Sequence, residues 1–235
     1  MALLELKNIS KVYQDDSVET QALRDISFSI DKGEFVAIMG PSGSGKSTLL
    51  HILGFLDRQT HGAYKFNGKI FHADDFAEDA IAHLRNQEIG FVFQAFNLLP
   101  RLSVLENVKL PLLYSRMDEA EWDEAAQKAI AAVGIAHRAH HAAVQLSGGE
   151  KQRAAIARAL VNNPEIIFAD EPTGNLDSKS GTVVIELLRD LNEKAGHTVV
   201  LITHDRHIAE YAKRIIMLKD GEISSDERIH HNRQS

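Results

Sequence analysis

Hydrophobic and polar residues alternate along the first third of the chain as they do in β-strands. Residues 3–9 and 22–30 show this pattern, and the apolar run at 35–39 predicts a further strand. Residues 62–70 alternate around the pair Asn67-Gly68, which is typical of a β-hairpin. The pattern therefore predicts antiparallel strands beside a core strand.

The pattern changes in the middle of the chain. Residues 102–162 are rich in alanine and charged residues, and apolar side chains between Trp122 and Val133 recur with a spacing near 3.6. This segment predicts an inserted helical subdomain.

Strands and helices alternate again from residue 166. Such alternation favours a parallel sheet covered by helices. We expect the polar tail from Ser224 to fray. The predicted strands are 166–169, 198–203 and 214–219, and the predicted helices begin near Ser178 and Asp205.

Composition narrows the class of protein. The 235 residues include no cysteine, which excludes disulfides, thiolate metal sites and cysteine nucleophiles. The formal net charge is −7, whereas broad nucleic-acid binders usually carry a basic surplus, so no nucleic-acid partner is expected. No apolar run approaches the roughly 18 to 20 residues that span a bilayer, and the start lacks the features of a signal peptide. We expect the chain to stay in the cytoplasm.

A glycine-rich segment follows the run at 35–39 and fits the pattern G-x-x-x-x-G-K-[ST]. Its glycines let backbone N–H groups point at phosphate oxygens, and a helix starting near Lys46 adds the positive end of its dipole. Lys46 would reach the β- and γ-phosphates, and Ser47 would offer its hydroxyl to Mg²⁺. The alternative is an ordinary Gly/Ser-rich turn. The predicted nucleotide-binding residues of this loop are Gly40, Ser42, Gly43, Ser44, Gly45, Lys46, Ser47 and Thr48.

Two carboxylates, Asp170 and Glu171, follow the predicted strand at 166–169. Ligands of open α/β folds bind at the carboxyl ends of the strands, so both side chains are expected at a ligand-binding edge. Asp170 would hold Mg²⁺, and Glu171 would polarise the attacking water of a phosphoryl transfer.

A second anion site is indicated by Ser147, Gly148 and Gly149, which precede a long helical run. One γ-phosphate cannot easily lie in both loops of a single molecule if the helical subdomain carries one of them. Two copies facing head to tail resolve this, because each then supplies the loop to the nucleotide of the other. As structure alone, the segment could be an N-cap with flexible glycines.

These features predict an α/β fold. It has a P-loop NTPase core with a mostly parallel sheet, an antiparallel β subdomain and an inserted α-helical subdomain. We place the first part of the nucleotide-binding core, with the β subdomain, at 1–95. The helical subdomain with the Ser147 loop is placed at 96–162, and the second part of the core at 163–235.

The motifs together resemble those of the ATP-binding subunit of an ABC transporter, over nearly the whole chain. Residues 40–47 resemble the Walker A loop, 166–170 the Walker B strand, and 146–150 the family signature, with Glu150 where glutamine is commonest. The resemblance implies that ATP and Mg²⁺ are the cofactors and that the chain hydrolyses ATP. It further implies that Tyr13 stacks on adenine, Gln94 contacts Mg²⁺ and signals to a membrane partner, Glu171 is the catalytic carboxylate, Asp177 lies in the D-loop, and His204 is the switch histidine.

Residues 91–100, 105–112 and 169–177 are similar to the macrolide-export and lipoprotein-release branch of this family. That similarity implies a homodimer, formed on ATP binding, that drives a separate transmembrane permease, with or without a periplasmic adaptor. The implied activity is export or extraction of a lipoprotein, peptide or drug-like cargo. The implied location is peripheral, on the cytoplasmic side of the bacterial inner membrane, with membrane contact through the permease only.

Other interpretations share some of these residues. DNA-repair and chromosome-organising ATPases carry long heptad segments between the two halves of the site, and about 100 residues between the first loop and Ser147 leave no room for one. A regulatory cassette that switches a membrane partner, such as a regulator of cell-wall hydrolases, stays open, as does a role for His204 as the cap of the helix near Asp205. The histidines at 137, 140, 141, 230 and 231 lack the spacing of a tetrahedral metal site.

Overall fold

The computed structural model of the protein describes residues 1–15, 18–74 and 77–229. The chain forms two compact units: residues 1–81 join the segment that begins at Thr198, and residues 82–197 form the other unit. Both units contain strands and helices, which confirms the predicted α/β class. The predicted division into a nucleotide-binding core and two subdomains stays a prediction.

The first unit contains a four-stranded antiparallel sheet. Strand β1 (Ala2–Asp15) pairs with β2 (Val18–Asp31) and with β4 (His61–Phe66), and β4 pairs with β5 (Lys69–Phe71). The predicted hairpin is confirmed. Asn67 and Gly68 both have positive φ, 45° and 83°, as a two-residue type I′ turn requires, and this turn places Phe66 opposite Lys69.

The same unit contains a second group of strands around β3 (Phe35–Met39). Strands β8 (Thr198–Ile202) and β9 (Arg214–Lys219) flank β3 and run parallel to it. All five β3 residues are buried, which explains why this strand is an unbroken apolar run. The unit's helices are α1 (Lys46–Leu53) and the short α7 (Arg206–Ala209).

The expectation that the chain frays from Ser224 is wrong for residues up to Arg228. Strand β10 (Glu222–Arg228) pairs antiparallel with β9. Six of its seven residues are polar, as is common on an edge strand, and the Arg214 guanidinium of β9 forms a 2.6 Å ion pair with Asp226 of β10. Residues 230–235, with His230 and His231, lie outside the described residues.

The second unit combines a parallel strand pair with helices. Strands β6 (Ile89–Phe93) and β7 (Ile166–Asp170) run parallel, with Phe93 opposite Asp170. The helical character predicted for 102–162 is confirmed. The helices are α2 (Glu78–Glu88), α3 (Val104–Lys109), α4 (Trp122–Ala132), α5 (Gly148–Leu160) and α6 (Ser178–Glu193). The first residues of α2 belong to the first unit. Short 3₁₀ turns lie at 110–114, 119–121, 136–138 and 143–145.

The β4 strand is anchored to the end of α1 by a buried tyrosine. The Tyr64 hydroxyl donates to the Leu53 carbonyl at 2.8 Å, and its ring stacks on Phe55 with centroids 4.8 Å apart. Complete burial raises the pKa of Tyr64 well above its ordinary value.

Tyr64→Phe should therefore lower the free energy of unfolding by about 1–2 kcal/mol, because it keeps the ring but leaves a buried carbonyl without its donor. Urea denaturation monitored by circular dichroism measures this. Tyr114→Phe is the matched control, since Tyr114 is 74% exposed and should change stability little. Equal stabilities of the two variants would contradict the role of the Tyr64 hydroxyl.

Candidate active site

The glycine-rich loop between β3 and α1 has the backbone that only glycine adopts easily. Gly43 and Gly45 have φ values of 78° and 99°, in the left-handed region. A Cβ on Gly45 would lie 2.7 Å from the Ala22 carbonyl oxygen, so a side chain cannot be accommodated at the first turn of α1. The sequence therefore fixes a curled loop that ends at a helix N-terminus.

Two polar groups in this loop are oriented as a phosphate site needs. The Lys46 ammonium donates to the carbonyl oxygens of Gly40 and Pro41, each at 2.8 Å, so the side chain folds back over the loop. The Ser44 hydroxyl is buried and has no hydrogen-bond partner among the described residues. An orphaned buried hydroxyl beside a fixed cation fits an anionic ligand, because it would gain a partner on binding.

Gly40 and His204 follow neighbouring strands. Ile38 of β3 pairs with Ile202 of β8, and the Thr203 N–H donates to the Ile38 carbonyl at 3.2 Å. The loop and His204 therefore lie at the same edge of this group of strands. Asp205, and not His204, caps α7, so the structure supplies no support for His204 as a helix cap.

Tyr13 lies beside the first turn of α1 with 40% of its surface exposed. Its hydroxyl donates to Asp57 at 2.9 Å, and the Lys11 ammonium stands 4.7 Å from the ring centroid and 2.7 Å from Asp57. Partial burial raises the pKa of the Tyr13 hydroxyl, and a hydrogen bond with Thr48 opposes that shift. The ring is thus held in place next to the phosphate loop, with Lys11 over one face.

In the second unit, Gln94 and Glu171 follow directly after β6 and β7. Phe93 pairs with Asp170, so the residues after these two strands lie at the same edge, as expected for the two carboxylates. Glu171 has φ of 43°, a left-handed conformation that is strained for glutamate.

Asn175 lies in the segment 174–177 that resembles the D-loop, but sequence reasoning gave it no role of its own; in the structure it contacts Gln94. The Gln94 amide donates to the Asn175 side-chain oxygen at 3.4 Å, and the Asn175 amide donates to the Gln94 backbone carbonyl at 3.0 Å. The signal in the sequence was an amide side chain between Gly174 and Asp177. Because an amide can donate and accept at once, it suits a contact with a second polar side chain. Asp177 caps α6, and the Ser180 N–H lowers the pKa of its carboxyl.

The signature segment forms the N-terminus of α5. Ser147 is the N-cap, and Ser147 and Glu150 form a capping box. Gly149 also has a packing role, since a Cβ there would lie 3.1 Å from the Ser180 hydroxyl of α6. The pKa of the Glu150 carboxyl is lowered to about 2. The hydrogen bond from the Ser147 N–H is the largest cause and the Arg138 guanidinium adds to it, while burial acts in the opposite direction.

Gln152 on α5 was also missed. It is fully buried, and its amide donates to the Pro172 carbonyl at 2.8 Å and to the Phe93 carbonyl at 3.3 Å. Phe93 is the last residue of β6 and precedes Gln94, and Pro172 follows Glu171 just after the end of β7. One side chain therefore links the signature helix to both strand ends.

The proposed metal ligands fit Mg²⁺ by chemistry. Ser47, Gln94 and Asp170 offer hydroxyl, amide and carboxylate oxygens, the ligand type that Mg²⁺ prefers. Within the described ranges, the His, Asp and Glu side chains form no group of three or more that could hold a metal ion.

The model of the ABC transporter family matches residues 23–174, more than half of the chain. The chain belongs to the ABC transporter family. It is an ABC cassette with the ATPase domain of that family, as the loop motifs predicted.

Similar relatives of this ABC cassette include "Macrolide export ATP-binding/permease protein MacB" of Bdellovibrio bacteriovorus, 53% identical over 97% of this chain and 34% of the relative. The protein of the same name from an Azoarcus species is 50% identical over 95% of this chain and 34% of its own length. The cassette thus spans about a third of these relatives. MJ0796, an uncharacterized ABC transporter ATP-binding protein of Methanocaldococcus jannaschii, is 46% identical over 97% of both chains.

Solved structures agree with this membership. A dimeric, post-hydrolysis state of the ATP-binding cassette MJ0796 bound to ADP and Pi has a TM-score of 0.86 and 45% identity, and covers 97% of this ABC cassette and 99% of that chain. A second dimeric structure of MJ0796 has the same TM-score and 46% identity. No helix among the described residues has the length and apolar character needed to cross a membrane.

Lys46→Ala should weaken ATP binding by about tenfold or more, since a charge-assisted hydrogen bond to phosphate is lost. Isothermal titration calorimetry with ATP tests this. Lys69→Ala removes an exposed lysine of β5 and is the control, expected to bind ATP as the parent does. Unchanged affinity of Lys46→Ala would mean that the glycine-rich loop does not bind phosphate.

Tyr13→Phe and Tyr13→Ala separate the aromatic ring from its hydroxyl. Stacking needs only the ring face, so Phe should keep ATP affinity within about twofold while Ala lowers it by about tenfold. Titration calorimetry compares the two. Equal loss in both variants would assign the effect to the hydrogen bond with Asp57 instead.

Proposed function

We propose that this chain binds and hydrolyses ATP with Mg²⁺, and that it does so as a homodimer. The observation that carries this proposal is the glycine-rich loop, with its left-handed glycines, its folded-back Lys46 and the orphaned hydroxyl of Ser44. The dimeric MJ0796 structure bound to ADP and Pi supports it, since that chain is 45% identical over nearly its full length.

The residues would divide the work as follows. Tyr13 stacks on the adenine, and the loop from Gly40 to Thr48 binds the phosphates with its N–H groups and Lys46. Ser47, Gln94 and Asp170 would hold Mg²⁺, which when bound would supply positive charge to stabilise the charge developing on the phosphates. Glu171 accepts hydrogen bonds from the attacking water and polarises it, and His204 hydrogen-bonds the terminal phosphate.

The second copy would complete the site. Ser147, Gly148 and Gly149 begin a helix whose N–H groups and dipole attract anions, and Ser147 is exposed at its tip. We assign this loop to the γ-phosphate of the nucleotide bound by the partner copy, with Asp177 next to that interface. The dimeric state of MJ0796 supports this arrangement.

The partner would be a membrane permease. Relatives named macrolide export ATP-binding/permease proteins combine both functions in one longer chain. MJ0796 is named an ATP-binding protein only. For this cassette we propose a permease on a separate polypeptide, as the resemblance to the macrolide-export and lipoprotein-release branch implies. Dimerisation on ATP would drive that permease from the cytoplasmic side of the bacterial inner membrane, to export or extract a lipoprotein, peptide or drug-like cargo.

Glu171→Gln should keep ATP binding, reduce hydrolysis by on the order of a hundredfold or more, and trap a dimer with ATP and Mg²⁺. Glutamine preserves the size of the side chain but cannot accept the proton. Phosphate release and size-exclusion chromatography measure both effects. Glu186→Gln, which removes the same charge from an exposed position on α6, is the control and should behave as the parent does.

A Glu171→Gln protein that stays monomeric with ATP and Mg²⁺ would contradict the proposed dimer. One that hydrolyses ATP at the parental rate would contradict the catalytic role of Glu171.

A further inference from the structure

The carboxylate of Glu150 sits inside the signature loop and is held from two sides. One oxygen accepts hydrogen bonds from the Ser147 N–H at 2.9 Å and from the Ser147 hydroxyl at 2.8 Å. The other oxygen accepts from Nε of Arg138 at 2.7 Å. The Glu150 side chain is only 13% exposed, so the arginine faces a largely dehydrated charge.

A second capping box in the same unit shows that an arginine is not needed to build one. At the start of α3, Ser103 and Glu106 make the same reciprocal hydrogen bonds, with Ser103 N–H and hydroxyl both 2.7 Å from one Glu106 oxygen. The charge of Lys109 also lowers the pKa of Glu106, after the hydrogen bonds from Ser103, but the ion pair of Lys109 is with Asp123. The capping geometry at Ser147 therefore does not explain why Arg138 is placed against Glu150.

We infer that Arg138 is a positioning residue for the nucleotide: it neutralises Glu150 so that the signature loop can approach the γ-phosphate held by the other copy. This inference rests on the proposed function. A phosphate oxygen that accepts from the Ser147 hydroxyl would lie within about 6 Å of the Glu150 carboxylate, since each hydrogen bond spans about 2.8 Å. Two negative groups at that separation repel each other, and salt screens them little when they are partly buried.

The hydroxyl of Ser147 also changes partner in this arrangement. Its single proton points to Glu150 in the structure, and a serine has only one to donate. When the hydroxyl turns to phosphate, Glu150 loses one hydrogen bond but keeps those of the Ser147 N–H and Arg138. A glutamine at position 150 would carry no charge and need no arginine.

The test measures the ATP concentration that gives half-maximal dimer, by analytical ultracentrifugation with Mg²⁺, in the Glu171→Gln protein. Adding Arg138→Gln, which keeps a donor but removes the charge, should raise that concentration about tenfold, as expected for loss of one member of a close charge pair. Arg138→Lys should recover most of the loss. With Glu150→Gln also present, Arg138→Gln should change the value by less than about twofold, because no carboxylate remains to neutralise.

His137→Ala is the matched control on the same turn, because Nε2 of His137 lies 3.9 Å from the same Glu150 oxygen and the side chain is 65% exposed. It should leave the half-maximal ATP concentration unchanged. Thermal unfolding of each variant separates a loss of stability from a loss of nucleotide response.

Each outcome decides the inference. If Arg138→Gln raises the half-maximal ATP concentration equally in the presence and absence of Glu150→Gln, Arg138 is a structural residue only. The same conclusion follows if Arg138→Lys fails to restore the parental ATP concentration. An unchanged ATP requirement in Arg138→Gln would overturn the inference while leaving the proposed function intact. A Glu171→Gln parent that forms no dimer with ATP would overturn the proposed function, and the inference with it.

Discussion

One buried amide organises the second unit. The side-chain amide of Gln152, a fully buried residue of α5, donates to the backbone carbonyls of Phe93 and Pro172. A buried carbonyl that loses such a donor costs on the order of 1–3 kcal/mol, so the helix and the two chain segments are held as one body. Gln94, Glu171 and Ser147 lie within a few residues of these contacts. Their relative positions therefore depend on a side chain that touches none of the reacting groups.

The two units present different kinds of chemistry. The first supplies fixed donors: the curled loop, Lys46 folded over it and a tyrosine ring clamped by Lys11 and Asp57. The second supplies acceptors and polar groups on strand ends, with Glu171 held in a strained backbone conformation. Lys46 and the glycine-rich loop thus lie in one unit and the carboxylates Asp170 and Glu171 in the other, which also carries the helix N-terminus at Ser147.

The sequence predicted those features whose cause is local. The glycine-rich loop, the Asn67-Gly68 turn and the buried β3 strand each follow from the backbone freedom or apolar character of a few consecutive residues. Features that depend on distant partners were missed. Strand β10 is mostly polar, and it forms because β9, with Arg214, lies beside it. Helix α2 buries only Ile81 and shows no apolar stripe. The contacts of Gln152, Asn175 and Arg138 join residues that are 12 to 81 positions apart.

The glycine at 174 sets a clearance between two loops. A Cβ there would lie 2.6 Å from the side-chain nitrogen of Gln94, so the glutamine occupies the space that any other residue would fill. The present position of the Gln94 side chain thus depends on one missing carbon atom. A side chain at this position would act as a wedge, pushing Gln94 into another rotamer and away from Asn175. A substitution at a residue with no functional group of its own would in this way remove the side-chain hydrogen bond from Gln94 to Asn175.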